Sequence, residues 1–288
     1  RHLLLGANVL TGTIPDSLTL SSMVQLAVDL NLFHGSLPDA IGKFTTISYL
    51  NFQENHFTGQ FPSSFGNLQG MQILLAANNR MTGSIPDSYT TLPMIAEMNI
   101  DYNHLTGTFP STISGWQYMD TFNMYSNMIS GTLPAALSQL PRITTLVLGE
   151  NKLSGPLDQI VNVSVQKAFT VLSIEDNQLT GQLPPDLFLL PLQVITAVGN
   201  CFSGTLPGTV CSCTTLNTLA LDGLSSSPAC NDKLLSFSKA YTLSRALTGT
   251  IPSCLFTLPA LTVLHLSGNG LTGTLPSTLP VQHTALSS

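Results

Sequence analysis

Apolar residues along the chain follow two alternating spacings. In segments of the form L-x-L-x-x-N they occupy every second position, as Leu50 and Phe52 do ahead of Asn55. A period of two predicts a short β-strand with one buried face. In the segments that follow, such as SSFGNLQGMQIL, apolar residues recur every three or four positions. That spacing predicts a 3₁₀ or short helical turn, so short strands and short turns alternate along the chain.

One motif, N-x-L-[ST]-G-x-[ILF]-P, follows each predicted strand. Its copies begin with NVLTGTIP at Asn8 and are 24 residues apart from Asn31 to Asn151. The copy RALTGTIP lacks the Asn, and in a degenerate unit, TLALDGL, Leu224 stands in its place. With these copies the chain carries about twelve units. The Asn residues that we expect to stack into a ladder are Asn31, Asn55, Asn79, Asn103, Asn127, Asn151, Asn177, Asn200 and Asn269.

Each position of the motif has a physical role. The buried Asn amide can satisfy backbone groups of its own turn and of the neighbouring turn. The Gly permits a tight or left-handed turn, and the Pro, which lacks an N–H, suits an extended convex segment. One unit cannot bury its apolar face alone, but a stack of units can. We therefore predict a repeat solenoid over 1–288, a single domain and a fragment of a longer chain, with a parallel β-sheet on its concave face.

The repeat units resemble the SG-x-IP leucine-rich repeats of plant receptor-kinase ectodomains and polygalacturonase-inhibiting proteins. Surface antigens of kinetoplastids and other protists carry a similar repeat. The resemblance covers nearly the whole chain. It implies an α/β-type leucine-rich-repeat horseshoe or superhelix with an extracellular recognition role, and it transfers no catalytic residue. The chain departs from the plant pattern because it lacks the paired-Cys caps and a kinase domain, and because sequons are scarce.

Composition narrows the possible functions. Only 8% of the residues are charged, so neutral Ser, Thr, Asn and Gln supply most of the polar surface, which suits an extracellular or cell-surface protein. The net charge is −6 and the Lys and Arg residues are scattered. This excludes the basic stripe that a nucleic-acid partner requires. No apolar run is long enough to span a bilayer, so attachment to a membrane would need sequence outside this chain.

The repeat is interrupted first between Asn151 and Asn177, where the unit is longer than its neighbours. The insertion contains the sequon Asn162-Val163-Ser164, the only N-x-[ST] sequence in the chain. On a convex loop of a secreted protein we expect Asn162 to carry a glycan, although an unused sequon has the same sequence.

The second interruption is an irregular insertion at 225–244, close to five cysteines. An irregular loop gains most from a covalent tie. We therefore expect Cys230 to form a disulfide. Cys211 or Cys213 is the preferred partner and Cys254 is the second choice, although the sequence alone leaves the connectivity open. One cysteine should stay free or pair with another chain. The disulfide candidates are Cys201, Cys211, Cys213, Cys230 and Cys254.

The concave face is the candidate binding surface. Eight of the fifteen acidic residues fall on its solvent-facing positions and none of the nine Lys and Arg residues does. Tyr and Asn offer adaptable contacts, and an acidic surface favours a basic partner or a cation. The opposing interpretation is that the concave face is simply exposed to solvent and binds no ligand. It would then carry most of the charge only because Ser and Thr fill the convex side. The predicted ligand-binding residues are Tyr49, Asn51, Glu54, Glu97, Asn99, Asp101, Tyr102, Asn123, Tyr125, Glu150, Glu175 and Asp176.

No catalytic or metal-binding motif occurs in a fitting context. The cysteines have neither zinc nor C-x-x-C spacing. We expect no catalytic residue, no metal and no cofactor. Two interpretations remain. One is a recognition or adhesion module that binds a protein, peptide or glycan through the concave face. The other is a structural glycoprotein that self-associates head-to-tail or laterally into a filament or sheath, because repeat ends without polar caps expose core and strand edges.

Overall fold

The chain winds into a solenoid in the part that the computed structural model describes, namely residues 1–18, 22–113, 115–223, 230 and 247–276. We call each turn of the solenoid a rung. Within these residues, eleven rungs each contribute one strand to a continuous parallel sheet. The strands bury alternate side chains, as the period of two predicts: Leu50, in the middle of Tyr49–Asn51, is fully buried. The predicted repeat solenoid is confirmed.

The strands of the concave sheet are three residues long and pair position for position. Leu26 lies opposite Leu50, and Leu50 lies opposite Leu74. Equivalent side chains therefore stack from rung to rung in the core. The concave strands are His2–Leu4, Gln25–Ala27, Tyr49–Asn51, Ile73–Leu75, Glu97–Asn99, Thr121–Asn123, Thr145–Val147, Val171–Ser173, Val194–Thr196, Thr218–Ala220 and Val263–His265.

A second set of strands, which the sequence reasoning missed, follows the repeat Asn in each rung. Their register is staggered, because Ser36, five residues after Asn31, pairs with Thr58, three residues after Asn55. In the described residues they form three small parallel sheets. Their bounds are Thr11–Gly12, Leu32–Ser36, His56–Gln60, Arg80–Gly83 and His104–Leu105; Ser130–Thr132, Lys152–Gly155, Gln178–Gly181 and Cys201–Phe202; and Gly204–Thr205, Leu247–Thr250 and Gly270–Thr272.

Short 3₁₀ turns form the convex side, as predicted. Most begin directly after the motif Pro, as Ser63–Asn67 does after Pro62. Pro fixes φ and needs no hydrogen-bond acceptor for an N–H, which suits the residue that enters such a turn. The turns are Asp39–Lys43, Ser63–Asn67, Asp87–Thr91, Ala135–Gln139, Asp158–Ile160, Pro185–Leu189, Gly208–Ser212 and Ser253–Phe256. No helix among the described residues has the length and apolar character to cross a bilayer.

Trp116 serves the core. It is fully buried, and its indole N–H donates to the Tyr89 carbonyl at 3.0 Å. Its ring packs against Phe122 with centroids 5.2 Å apart. The side chains of Tyr89, Trp116 and Phe122 all belong to the continuous hydrophobic core of the solenoid.

The count of rungs is one lower than the count of about twelve units. Strand Thr218–Ala220 pairs directly with Val263–His265, and Leu247–Thr250 pairs with Gly204–Thr205. The degenerate unit at Leu224 and the RALTGTIP copy are therefore two halves of one rung, separated by the insertion. The insertion at 225–244 and Leu224 lie outside the described residues, apart from Cys230.

The predicted partner of Cys230 is wrong. Cys230 bonds to Cys201, and Cys211 bonds to Cys254. Cys211 and Cys254 lie in the 3₁₀ turns of adjacent rungs, which brings their Cα atoms to 5.5 Å. Cys213 is free and buried, because it follows its 3₁₀ turn with its side chain directed into the core, where its thiol donates to the Leu192 carbonyl at 3.4 Å. The predictions of one free cysteine and of a disulfide-bonded Cys230 are confirmed.

Candidate ligand-binding face

The residue before the repeat Asn is held in the left-handed backbone region in rung after rung. Its φ is 55° at Glu54, 47° at Tyr102, 51° at Glu150 and 50° at Asp176. The chain reverses at this point so that the next residue, the ladder Asn, enters the core. A left-handed conformation costs a residue with a Cβ about 1–2 kcal/mol. All four side chains are exposed at the end of the concave strands.

The ladder Asn fixes this turn. Asn103 donates from Nδ2 to the carbonyls of Ala76 at 3.0 Å, Ile100 at 3.2 Å and Asp101 at 3.0 Å. Its Oδ1 accepts the backbone N–H of Met81 at 2.9 Å. Because Ala76 and Met81 belong to the preceding rung, one buried side chain locks two rungs together and positions the residues on both sides of it.

Two tyrosines lie side by side at the middle of the face. The rings of Tyr102 and Tyr125 have centroids 5.4 Å apart and are tilted by 55°. The Tyr125 hydroxyl donates to Glu150 Oε1 at 2.6 Å. Burial and this hydrogen bond raise the pKa of Tyr125 well above its ordinary value, so the phenol stays protonated. Tyr102 is 50% exposed, which leaves its ring as the accessible aromatic surface.

Asp101 lies beside this pair and is only half satisfied. Its Oδ2 accepts Asn123 Nδ2 at 2.8 Å. Its Oδ1 is buried and has no hydrogen-bond partner among the described residues. Burial raises the pKa of Asp101, the Asn123 amide lowers it and the charge of Glu54 raises it. One oxygen of this carboxylate is therefore paired, and the other is buried without a partner among the described residues.

Glu175 and Asp176 end the acidic part of the face. Glu175 accepts hydrogen bonds from the Ser173 hydroxyl at 2.7 Å and the Thr196 hydroxyl at 2.6 Å. Burial, then the charges of Glu150 and Glu175, raise the pKa of Asp176. Two adjacent carboxylates without a basic neighbour accumulate negative potential. The sequence did not single out Ser173 and Thr196, which hold Glu175 in place.

At the other end of the face, Asn51 does not face solvent as predicted. It is only 5% exposed, because the Tyr49 side chain lies next to it and its Nδ2 donates to the Tyr49 hydroxyl at 3.2 Å. The Asn51 Oδ1 also accepts the backbone N–H of Gln53. Asn51 supports Tyr49 and is not available to a ligand. Glu97 and Asn99 are half-buried in the strand between these residues and Asp101.

A groove runs along the edge where the concave strands turn into the second sheets. It has a volume of about 550 Å³, and Glu54 and Tyr102 are the predicted site residues that line it. Leu30 and Leu32, which are 50% and 44% exposed, add apolar surface. The sequence reasoning missed both leucines because they look like ordinary repeat positions. Their exposure depends on the left-handed turn, which carries Leu30 outward at φ 52°.

The face has chemistry for binding. Its carboxylates form no ion pair with Lys or Arg within the described part of the chain. The one contact there between a carboxylate and a histidine joins Asp222 and His265 at 3.5 Å. The described residues also hold no cluster of His, Cys, Asp and Glu suited to a metal ion. Negative charge and two exposed or half-exposed tyrosines suit a ligand that presents hydrogen-bond donors and positive charge.

Comparison with known proteins defines the class. The model of the leucine rich repeat family matches residues 93–153, and a second leucine rich repeat model matches 46–68 and 260–281. The chain therefore contains leucine rich repeats, and its fold is a leucine-rich-repeat solenoid.

Several solved structures that are similar to this chain come from plants. The chain is similar to the plant peptide hormone receptor RGFR1 in complex with RGF2, with 25% identity and a TM-score of 0.76 over 92% of this chain and 43% of that one. It is similar to the ectodomain of the Arabidopsis receptor kinase HAESA in complex with an N-terminally extended IDA peptide hormone, with 25% identity and a TM-score of 0.64 over 98% and 56% of the two chains. A plant ice-binding protein shares the fold at 22% identity and a TM-score of 0.64, over 72% of this chain and 66% of that one. The chain thus spans about half the length of the two receptors.

Proposed function

We propose that this chain is a ligand-binding module that recognises a basic peptide, or a basic segment of a protein, on its concave face between Tyr49 and Asp176. The similar receptor ectodomains were solved with peptide hormones, which supports the peptide class. The observation that carries the proposal is the group of concave carboxylates, which form no ion pair with Lys or Arg among the described residues and lie beside the tyrosine pair.

An Arg or Lys side chain fits this arrangement. Its N–H groups can donate to the exposed carboxylate of Glu54, whose charge also acts on Asp101. A guanidinium also stacks on an aromatic face, and Tyr102 offers one that is 50% exposed. A hydrogen bond to a charged group contributes about 1.5–3 kcal/mol, so one well-placed cation decides much of the affinity of a short peptide.

A glycan is the alternative ligand for the same surface. Tyr and Asn side chains also suit sugars, but a neutral sugar gains nothing from the accumulated carboxylates. Dependence on salt separates the two, because charge-steered binding weakens as ionic strength rises. Neither ligand requires a catalytic residue, and we propose no enzymatic activity.

The test uses an array of synthetic peptides in matched Arg/Lys-rich and neutral sets, together with a glycan array. Peptides that bind are then titrated against Asp101→Lys/Glu150→Lys, against Tyr102→Ser, and against the control Asp87→Lys/Asp158→Lys. The control makes the same change of charge on two exposed convex positions. We expect the concave variants to lose binding at least about tenfold and the control to keep it. Equal binding by all variants removes the concave face from the proposal, and hits confined to the glycan array identify the sugar ligand instead.

We also infer an extracellular or cell-surface location with a glycan on Asn162. Disulfides form in oxidising compartments, and Cys201–Cys230 and Cys211–Cys254 support that location. Asn162 is partly exposed, and its Oδ1 accepts the backbone N–H of Ser164 in a local turn. When the chain is expressed through a secretory pathway, glycosidase treatment should lower its apparent mass on a gel. Asn162→Gln should abolish this shift. Assembly into a filament or sheath stays a prediction of the sequence.

A further inference from the structure

Three exposed side chains form a row that neither the fold nor the concave site accounts for. Met94, Tyr118 and Arg142 occupy the same position in three successive rungs, three residues ahead of the start of the concave strand. Wherever else this position is described, it holds Ser, Thr, Gly, Ala or Pro. The solenoid therefore does not need a large side chain there. Met94 and Tyr118 are nevertheless 39% and 42% exposed, and Arg142 is exposed as well.

The row lines a groove at the edge where the concave strands begin, opposite to the edge where Glu54 and Tyr102 lie. The groove has a volume of about 510 Å³ and runs across five rungs, from Gln72 to Ala168. Adjacent strands are about 4.8 Å apart and an extended chain advances about 3.3 Å per residue, so the groove is about 19 Å long and accommodates about six extended residues. We call it the entry groove.

Arg142 is oriented but has no acidic partner. Its guanidinium lies over the Tyr118 ring, with the central carbon 4.5 Å from the ring centroid. Within the described part of the chain it forms no ion pair with a carboxylate. Stacking on an aromatic ring holds the plane of a guanidinium and leaves its N–H edge free to donate. Arg142 is therefore preformed for an anionic group, and a carboxylate matches its paired donors.

Asp120 lines the same groove and is held by a different partner. Its carboxylate accepts a hydrogen bond from the Thr144 hydroxyl and forms no ion pair with Arg142. Because both groups face solvent, the charge of Asp120 weakens the attraction between Arg142 and an anion without abolishing it. Removal of this charge should therefore strengthen the binding of an anionic partner.

We propose that the entry groove docks a second protein through an extended acidic segment, which places a carboxylate on Arg142 and an apolar side chain on Met94 and Tyr118. Tyr and Arg are enriched among the residues that carry most of the binding energy of protein interfaces, and Met is enriched in such interfaces. The negative charge of this partner distinguishes it from the basic ligand proposed for the concave face. A glycan of uronic acids also offers carboxylates, but it has no apolar side chain for Met94. The chain then has separate surfaces for two partners of opposite charge.

The test uses synthetic hexapeptides that carry one Glu or Asp beside one Phe, Leu or Met. Each is matched with a peptide in which Gln or Asn replaces the acid. Peptides that bind are titrated against the parent chain, against Arg142→Gln/Tyr118→Ser and against the control Lys43→Gln/Tyr102→Ser. The control also removes one cation and one exposed tyrosine, but outside the entry groove. All four substituted residues are exposed, and a thermal melt verifies the fold of each variant.

We expect the acidic hexapeptides to bind the parent chain and the control alike and to lose at least about tenfold in affinity for the groove variant. Replacement of the peptide acid by its amide should weaken binding to the parent chain about tenfold and leave binding to Arg142→Gln unchanged, which identifies the interacting pair. Asp120→Asn should strengthen binding by about two- to fivefold. The basic peptides of the concave face should show the reverse order, with binding kept by the groove variant and lost by the control, so the two proposals fail separately.

Failure of every acidic hexapeptide to bind the parent chain overturns the proposal, and so does equal binding by the groove variant and the control. An equal loss for the amide peptides with the parent chain and with Arg142→Gln overturns the assignment of the carboxylate to Arg142. Binding of an oligomer of galacturonic acid in place of the hexapeptides reassigns the groove to a polysaccharide. Concentration-dependent dimerisation that the groove variant abolishes reassigns it to a contact between copies of this chain.

Discussion

The central rungs and the C-terminal rungs make the same backbone turn with different residues. Before the ladder position, the central rungs have Glu54, Tyr102 and Glu150, whereas the C-terminal rungs have Gly199 at φ 67°, Gly223 at 58° and Gly268 at 70°. Glycine adopts this conformation without steric cost. The fold therefore requires the turn and does not require a side chain there. The central rungs therefore bear a conformational strain that the glycine-containing rungs avoid.

The two regions also differ in what holds them. Both regions bury ladder Asn side chains in a continuous core, but the C-terminal rungs, interrupted by the insertion, have two disulfides in addition. Four predictions test this contrast, from the largest expected effect to the smallest.

Asn103→Ala removes four hydrogen bonds from the interior of the central region. Each buried polar group left unpaired costs about 1–3 kcal/mol, and water can reach some of them, so we expect a loss of about 3–5 kcal/mol. Chemical denaturation measures it. Asn269→Ala is the matched control in the C-terminal region, where the equivalent side chain is partly buried, and its loss should be clearly smaller. Equal losses would show that the ladder contributes uniformly.

Cys201→Ser breaks a disulfide whose cysteines are 3% and 1% exposed and 29 residues apart. The bond limits the unfolded ensemble, and removal of such a bond lowers stability by about 2–4 kcal/mol. A thermal melt should show this, and full reduction of the parent chain, which also breaks Cys211–Cys254, should lower its stability at least as much. Protease digestion with peptide mapping should locate the first new cleavages near the insertion. First cleavages in the central rungs would contradict the assignment of this bond to the C-terminal region.

Gly199→Ala and Tyr102→Gly exchange the residue types of the two regions. Alanine at Gly199 is strained by its positive φ and its Cβ would collide with the Asp176 carboxylate, so we expect a loss of about 1–2 kcal/mol. Tyr102→Gly relieves strain but loses the contact with Tyr125, so its stability should change by less than about 1 kcal/mol. Denaturant midpoints compare them. A large loss in Tyr102→Gly would mean that the tyrosine is structural.

Asp101→Asn should give the smallest effect, and one that depends on pH. Because the pKa of Asp101 is raised in the folded chain, the folded state binds more protons than the unfolded state in the acid range, and this group's contribution to stability falls as the pH rises through that range. The neutral amide removes the penalty, so the variant should be slightly more stable at neutral pH, by less than about 1 kcal/mol after solvent screening. The difference should vanish in acid. Asp87→Asn on the convex side is the control, and a difference constant with pH would contradict the cause.

Sequence pattern predicted the features that repeat in every rung. The period of two around Leu50 and the Asn at fixed distance specify strands and ladder, because burial acts on each unit in the same way. Features that depend on pairing between rungs could not be predicted. The second sheets contain Gly and adjoin Pro, which are poor strand residues, and their strands exist because a neighbour supplies the partner. The burial of Asn51 depends on the rotamer of Tyr49, and the partner of Cys230 depends on which turn the insertion passes.

The Asn ladder also has a direction. The Nδ2 of Asn55 donates to the carbonyl of Val28, and its Oδ1 accepts the N–H of Phe33, both in the preceding rung. The interior of each turn is therefore completed by the turn that comes later in the chain. During synthesis, which proceeds from the N-terminus, a newly emerged rung keeps unsatisfied polar groups until the next rung has left the ribosome. Folding of this chain should then follow translation with a delay of one rung. A translational pause between two rungs leaves a single rung with unsatisfied polar groups.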